Sequence, residues 1–92
     1  MRITSTQECI LRTAIKQFGE QAQIDQAIGK IGEFLTLFGR EAQGRATGEM
    51  WADEIADAVI MLRQVAMIKG ISGMVQNRID YKINQLAERL GK

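Results

Sequence analysis

The chain has 92 residues, with twelve Lys and Arg against eleven Asp and Glu, nine glycines, one cysteine, no proline and no histidine. That length holds one domain, read as 1–92, and the balanced charge excludes a polybasic nucleic-acid binder. A lone cysteine without histidine excludes an internal disulfide, a Cys/His zinc site and a Ser–His or Cys–His nucleophile, so any metal here is bound by oxygen.

The first predicted helix runs from about Thr6 to Phe18. Ala14, Ile15 and Phe18 recur at helical spacing after Ile10 or Leu11, and Ser5 or Thr6 is the expected N-cap. Cys9 near its start reads as a small buried apolar side chain. Gly19 ends the helix.

The second is expected from Glu20 to Phe38. Ile24, Ile28, Ile31, Leu35 and Phe38 alternate steps of four and three, a heptad seam that predicts lengthwise packing on another helix. Gly29 and Gly32 lie inside it, either for a close helix approach or simply tolerated, each costing up to about 1 kcal/mol against alanine. Gln23 and Gln26 read as helix surface, although an amide there is able to bond a base. A polar loop, "GREAQGRATGE" (39–49), follows and carries Arg40 and Arg45.

The third helix, Gly48 to Lys69 with Thr47 as N-cap, has the stripe Trp51, Ile55, Val59, Leu62 and Ala66. Ala58, Met61, Val65 and Ile68 widen it until the helix reads as central. Trp51 either stacks on a base or packs at the bundle end. Met61, Met67 and Met74 read as core filler.

The fourth, from about Ser72 to Leu90, sets Val75, Ile79, Ile83, Leu86 and Leu90 against a polar face, with Tyr81 beside it. The expected class is all-α, a four-helix-bundle-like domain. Its seams exceed what one small bundle hides, so homo-oligomerisation is expected to complete the core. No apolar run reaches the roughly twenty residues that span a bilayer. The N-terminus lacks a signal-peptide pattern, so the expected location is cytoplasmic.

The chemistry concentrates on acids. Glu54 and Asp57, three apart, share one side of the third helix, and the apolar run after Asp57 predicts a buried setting. A buried carboxylate needs a pair, hydrogen bonds or a metal, and Mg²⁺ prefers such oxygens together with substrate phosphates. Read alone, the spacing favours an acid edge in solvent or one neutralised by a nearby base, since acids three apart are common on ordinary helices.

The segments "ILRTAIKQFGEQAQIDQAIGKIGEF", "EIADAVIMLRQV" and "IDYKINQLAERL" together resemble the small phage-type members of the MazG-like, all-α nucleoside triphosphate pyrophosphohydrolases. The likeness covers about Ile10 to Leu90. It implies water attack on an NTP or dNTP to give a monophosphate and pyrophosphate, Mg²⁺ as cofactor, a carboxylate near the metal as general base, and pairing into a homodimer or tetramer.

The family pattern is EExxE on one helix and ExxD on the next long one. ExxD stands here as Glu54-Ile55-Ala56-Asp57, whereas the EExxE position reads Gly29-Lys30-Ile31-Gly32-Glu33. The metal ligands implied are therefore Glu33, Glu54 and Asp57, with Lys30 replacing the fourth. Asp25 lies eight residues before Glu33, about 12 Å along the axis, and Glu41 eight after, too far to substitute.

Either Lys30 swings out and leaves a weaker three-carboxylate site, or its ammonium sits among the acids in place of the metal. The second reading is the economical one, since three clustered acids without a cation repel each other. For phosphate binding the candidates are Lys82 and Arg89 on the last helix and Arg40 or Arg45 on the loop, with a solvated surface charge the alternative for each. The competing functional class is a catalytically inactive nucleotide-binding protein or a structural oligomerisation module.

Overall fold

The computed structural model describes residues 2–92 as four α-helices: α1 (Ser5–Phe18), α2 (Glu20–Ala42), α3 (Gly48–Lys69) and α4 (Ser72–Arg89). The class is all-α, as expected, in a helical bundle of open form. α2 and α3 pair along their length, α1 rests on both, and α4 packs on α3 alone.

Local chemistry explains the boundaries. The N-cap of α1 is Thr4, not Ser5 or Thr6. Its Oγ1 accepts a hydrogen bond from the Gln7 amide at 3.1 Å, and Gln7 Oε1 accepts from the Thr4 amide at 2.9 Å. This capping box satisfies two amides that the first turn leaves open. Gly19, at φ 95°, makes the corner into α2. Thr47 caps α3 as expected, accepting from the Met50 amide at 3.2 Å.

α2 continues through Gly39 to Ala42, beyond its expected end at Phe38. Gly39 keeps a helical backbone, and the left-handed turn falls on Gly44 at φ 71°. The connection to α3 is thus shorter than read from the sequence, which holds the two helices antiparallel. α3 ends at Gly70, whose left-handed backbone (φ 69°, ψ 31°) lets the Gly70 and Ile71 amides bond back to the last turn.

The packed face of α2 differs from the predicted seam. Ile28 is 67% and Leu35 60% exposed, and Phe38 is also exposed. The face toward α3 carries buried Gln23, Ala27 and Leu37, with half-buried Lys30 and Phe34 between them. It repeats the same four-three spacing one residue earlier. This inward stripe buries Ala27 and Leu37 and sets Lys30 beside Asp57 of α3. α3 is central on one side only: Met61, Gln64 and Ala66 are buried, while Ile55, Ile60 and Leu62 are exposed.

Other expectations are corrected. Cys9 is exposed, on the first half of an α1 that contributes no buried residue. Gln23 is buried rather than on the surface. Met61 is core, Met67 half-buried and Met74 exposed on α4, which contributes no buried residue. Gly29 and Gly32 serve no close approach, since a Cβ at either meets nothing within 4 Å.

Candidate functional site

α2 and α3 run antiparallel, so a residue climbing one helix meets residues descending the other. Lys30 stands opposite Asp57, and Glu33 opposite Glu54. Glu33, Glu54 and Asp57 each offer a carboxylate oxygen, and these atoms lie within 4.8 Å of one another. Lys30 Nζ lies 3.6 Å from Glu33 Oε2 and 3.6 Å from Asp57 Oδ2. The structure thus brings Lys30, Glu33, Glu54 and Asp57 into one cluster.

The pocket is half open. The Asp57 side chain is 42% exposed, so the expectation of a buried Asp57 is corrected: it lies at the rim of the α2–α3 interface. Glu54 lies deeper, and its Oε2 is buried with no hydrogen-bond partner. A buried carboxylate oxygen left unpaired is costly, and a cation offsets that cost.

The Lys30 pKa is raised above the ordinary lysine value. Glu33 is the main cause and Asp57 the next; burial opposes them, and the charge of Glu54 adds to the rise. The ammonium is therefore firmly charged and supplies the positive charge that the acids require.

The donor set fits a hard divalent ion in kind: three carboxylates, oxygen only, one of them unsatisfied. Lys30 stands where a fourth oxygen would complete the set and contributes a competing charge.

The remaining candidates lie elsewhere. Lys82 and Arg89 are on α4, which does not touch α2, and neither pairs with the three carboxylates. Arg45 bonds to Gln43 Oε1 in the turn, and Arg40 closes α2. Trp51 packs edge-on against Phe34 and Phe38, with centroids at 6.0 and 4.9 Å, and donates its indole N–H to Glu41. The indole is engaged at the closed end of the hairpin, the packing alternative of its two readings.

Sequence reasoning missed a buried amide layer. The same register places Gln23 and Gln64 two turns beyond the acids. Gln64 is 2% exposed; its Nε2 donates to the Leu11 carbonyl of α1 at 3.4 Å, and its Oε1 has no partner. The available signal was the spacing of Gln23, Ala27 and Lys30, which matches the true packing face.

No family model, curated protein or solved structure matches this chain.

Proposed function

We propose that this chain is a nucleoside triphosphate pyrophosphohydrolase-like protein of MazG type whose Mg²⁺ site is weakened by Lys30. The observation that carries the reading is the meeting of Glu33, Glu54 and Asp57 within 4.8 Å, with the Lys30 ammonium 3.6 Å from two of them. The resemblance in the three quoted segments, which contain these same acids, also supports it.

Bound Mg²⁺ supplies two things: neutralisation of phosphate charge and a lower pKa for the attacking water. The residues to hold it are Glu33, Glu54 and Asp57. Whichever of these carboxylates faces the water accepts its proton. Lys30 draws Glu33 and Asp57 toward itself and lowers the affinity of the set for the ion. Cleavage of an NTP or dNTP to a monophosphate and pyrophosphate is then slow.

A second reading, an inactive nucleotide-binding or structural relative, is favoured by the same ammonium and by the distance of Lys82 and Arg89 from the cluster. A pyrophosphate-release assay over the common NTPs and dNTPs with Mg²⁺ or Mn²⁺ decides. The proposal expects slow turnover in the wild type and at least tenfold faster turnover in Lys30→Glu, on the order of one restored ligand's worth. No turnover in either protein, with no thermal shift on adding nucleotide, overturns it.

A further inference from the structure

α1 and α3 leave an open groove of about 470 Å³ between them, and no residue of α2 lines it. Its volume falls within the roughly 300–1,000 Å³ of small-molecule sites. Among the described residues, all but two that line it are aliphatic, with Leu11 on α1 and Ile55, Val59 and Ile60 on α3. Ile55 is 36% and Ile60 37% exposed, so this wall faces water in the single chain. An alkyl chain laid between the helices takes such a wall out of water.

The two polar lining residues are Arg2, just before α1, and Gln7 in its first turn. Arg2 is a permanent cation with donors only. Gln7 carries both a donor and an acceptor, but the capping box uses the acceptor: its Oε1 takes the Thr4 amide at 2.9 Å. What Gln7 has left to offer is the Nε2 donor. The polar side chains of the groove are therefore donors, both from the start of the chain, and no carboxylate lines it. Donors without a matching acceptor select an anion, and a guanidinium suits a carboxylate best.

We propose that the α1–α3 groove binds a free aliphatic carboxylate with a single chain. Arg2 and Gln7 Nε2 hold its carboxylate, and its tail runs over Leu11, Ile55 and Val59. At about 30 Å³ for a water-sized group, the groove holds roughly fifteen such groups, the size of a twelve-carbon acid. A two-fold copy of the chain brings the same donor-only lining to this groove, so the lining itself supplies no acceptor for Arg2. None of Lys30, Glu33, Glu54 and Asp57 lines the groove, so this site is independent of the proposed hydrolysis.

The test is titration calorimetry of the full chain with laurate below its micelle concentration, at about pH 8, where the acid is ionised. Laurate is expected to bind with a Kd of about 100 μM or tighter. Dodecyltrimethylammonium has the same chain and the opposite charge, and is expected to bind about tenfold more weakly or less. Arg2→Gln removes most of that preference, and Arg2→Glu reverses it. Ala56 lines the groove from an exposed position, so Ala56→Trp fills it and abolishes laurate binding, with far-UV helicity retained. If Ala56→Trp loses helicity, Ala52→Trp on the same wall decides in its place. No laurate binding at about 1 mM, equal affinity for the two head groups, or laurate binding unchanged by the tryptophan overturns the inference. A second copy in the groove gives a different result: a wild-type dimer in sedimentation equilibrium that excludes laurate and that Ala56→Trp dissociates. That result overturns it as well.

Discussion

Lys30 Nζ on α2 lies 3.6 Å from Asp57 Oδ2 on α3, and the same ammonium lies 3.6 Å from Glu33 Oε2 one turn along its own helix. A cation is thus built into the covalent chain at the place where a bound one would serve the acids. Lys30→Glu is expected to raise Mg²⁺ affinity by on the order of tenfold or more, read by titration calorimetry. Without the ion it should melt at a lower temperature than the wild type, because four acids then share the site. Added Mg²⁺ restores the midpoint. Tight Mg²⁺ binding by the wild type contradicts the role given to Lys30.

The raised Lys30 pKa has a definite pH signature. A lysine whose pKa is higher in the folded state stabilises fully below its unfolded value, about 10.4, and loses that contribution as pH rises through the folded value. From neutral pH upward, the difference in urea midpoint between wild type and Lys30→Met is therefore expected to change only above about 10.4. A difference that shrinks between pH 7 and 9 removes the assigned sign.

Gly29 and Gly32 sit inside α2 with open space where a Cβ would go. Gly29→Ala and Gly32→Ala are each expected to stabilise the chain by roughly 0.5–1 kcal/mol, through the lower backbone entropy of the unfolded state. Urea denaturation at fixed protein concentration measures this. A loss of stability in both indicates a neighbour packed against that face.

The buried interior gives opposite signs for two substitutions. Leu37 is 2% exposed, and Leu37→Ala is expected to cost about 2–5 kcal/mol, a large share of the total for so small a core. Gln64 has one long hydrogen bond and an unpaired buried oxygen. Gln64→Leu keeps similar volume and removes that unpaired acceptor, so a gain of about 1 kcal/mol is expected. Both values come from chemical denaturation, and a strongly destabilised Gln64→Leu contradicts the second.

Glycine punctuation and apolar spacing made the four helices legible, and Thr47 as a cap followed from its residue type. The Thr4–Gln7 box was equally readable, but Ser5 and Thr6 beside it offer the same chemistry. The packing face of α2 was hidden for a stronger reason. Helical periodicity reports the most apolar stripe, Ile24 to Phe38, whereas contact with α3 follows a stripe one residue earlier that contains Gln23 and Lys30. Polar residues in an interface cancel the signal that reveals it. The acid cluster escaped this problem because the resemblance, not the periodicity, pointed to Glu33, Glu54 and Asp57, whose carboxylate oxygens the structure sets within 4.8 Å of one another.

The joint between α3 and α4 is a single left-handed glycine, Gly70, followed by Ile71. α4 has 18 residues, about 27 Å of rigid rod, anchored only near that joint and on α3. A rotation of ten degrees at Gly70 therefore carries the far tip through about 5 Å, more than half the usual spacing of packed helices. The aim of this lever rests largely on the left-handed backbone of Gly70, which an L side chain adopts only under strain.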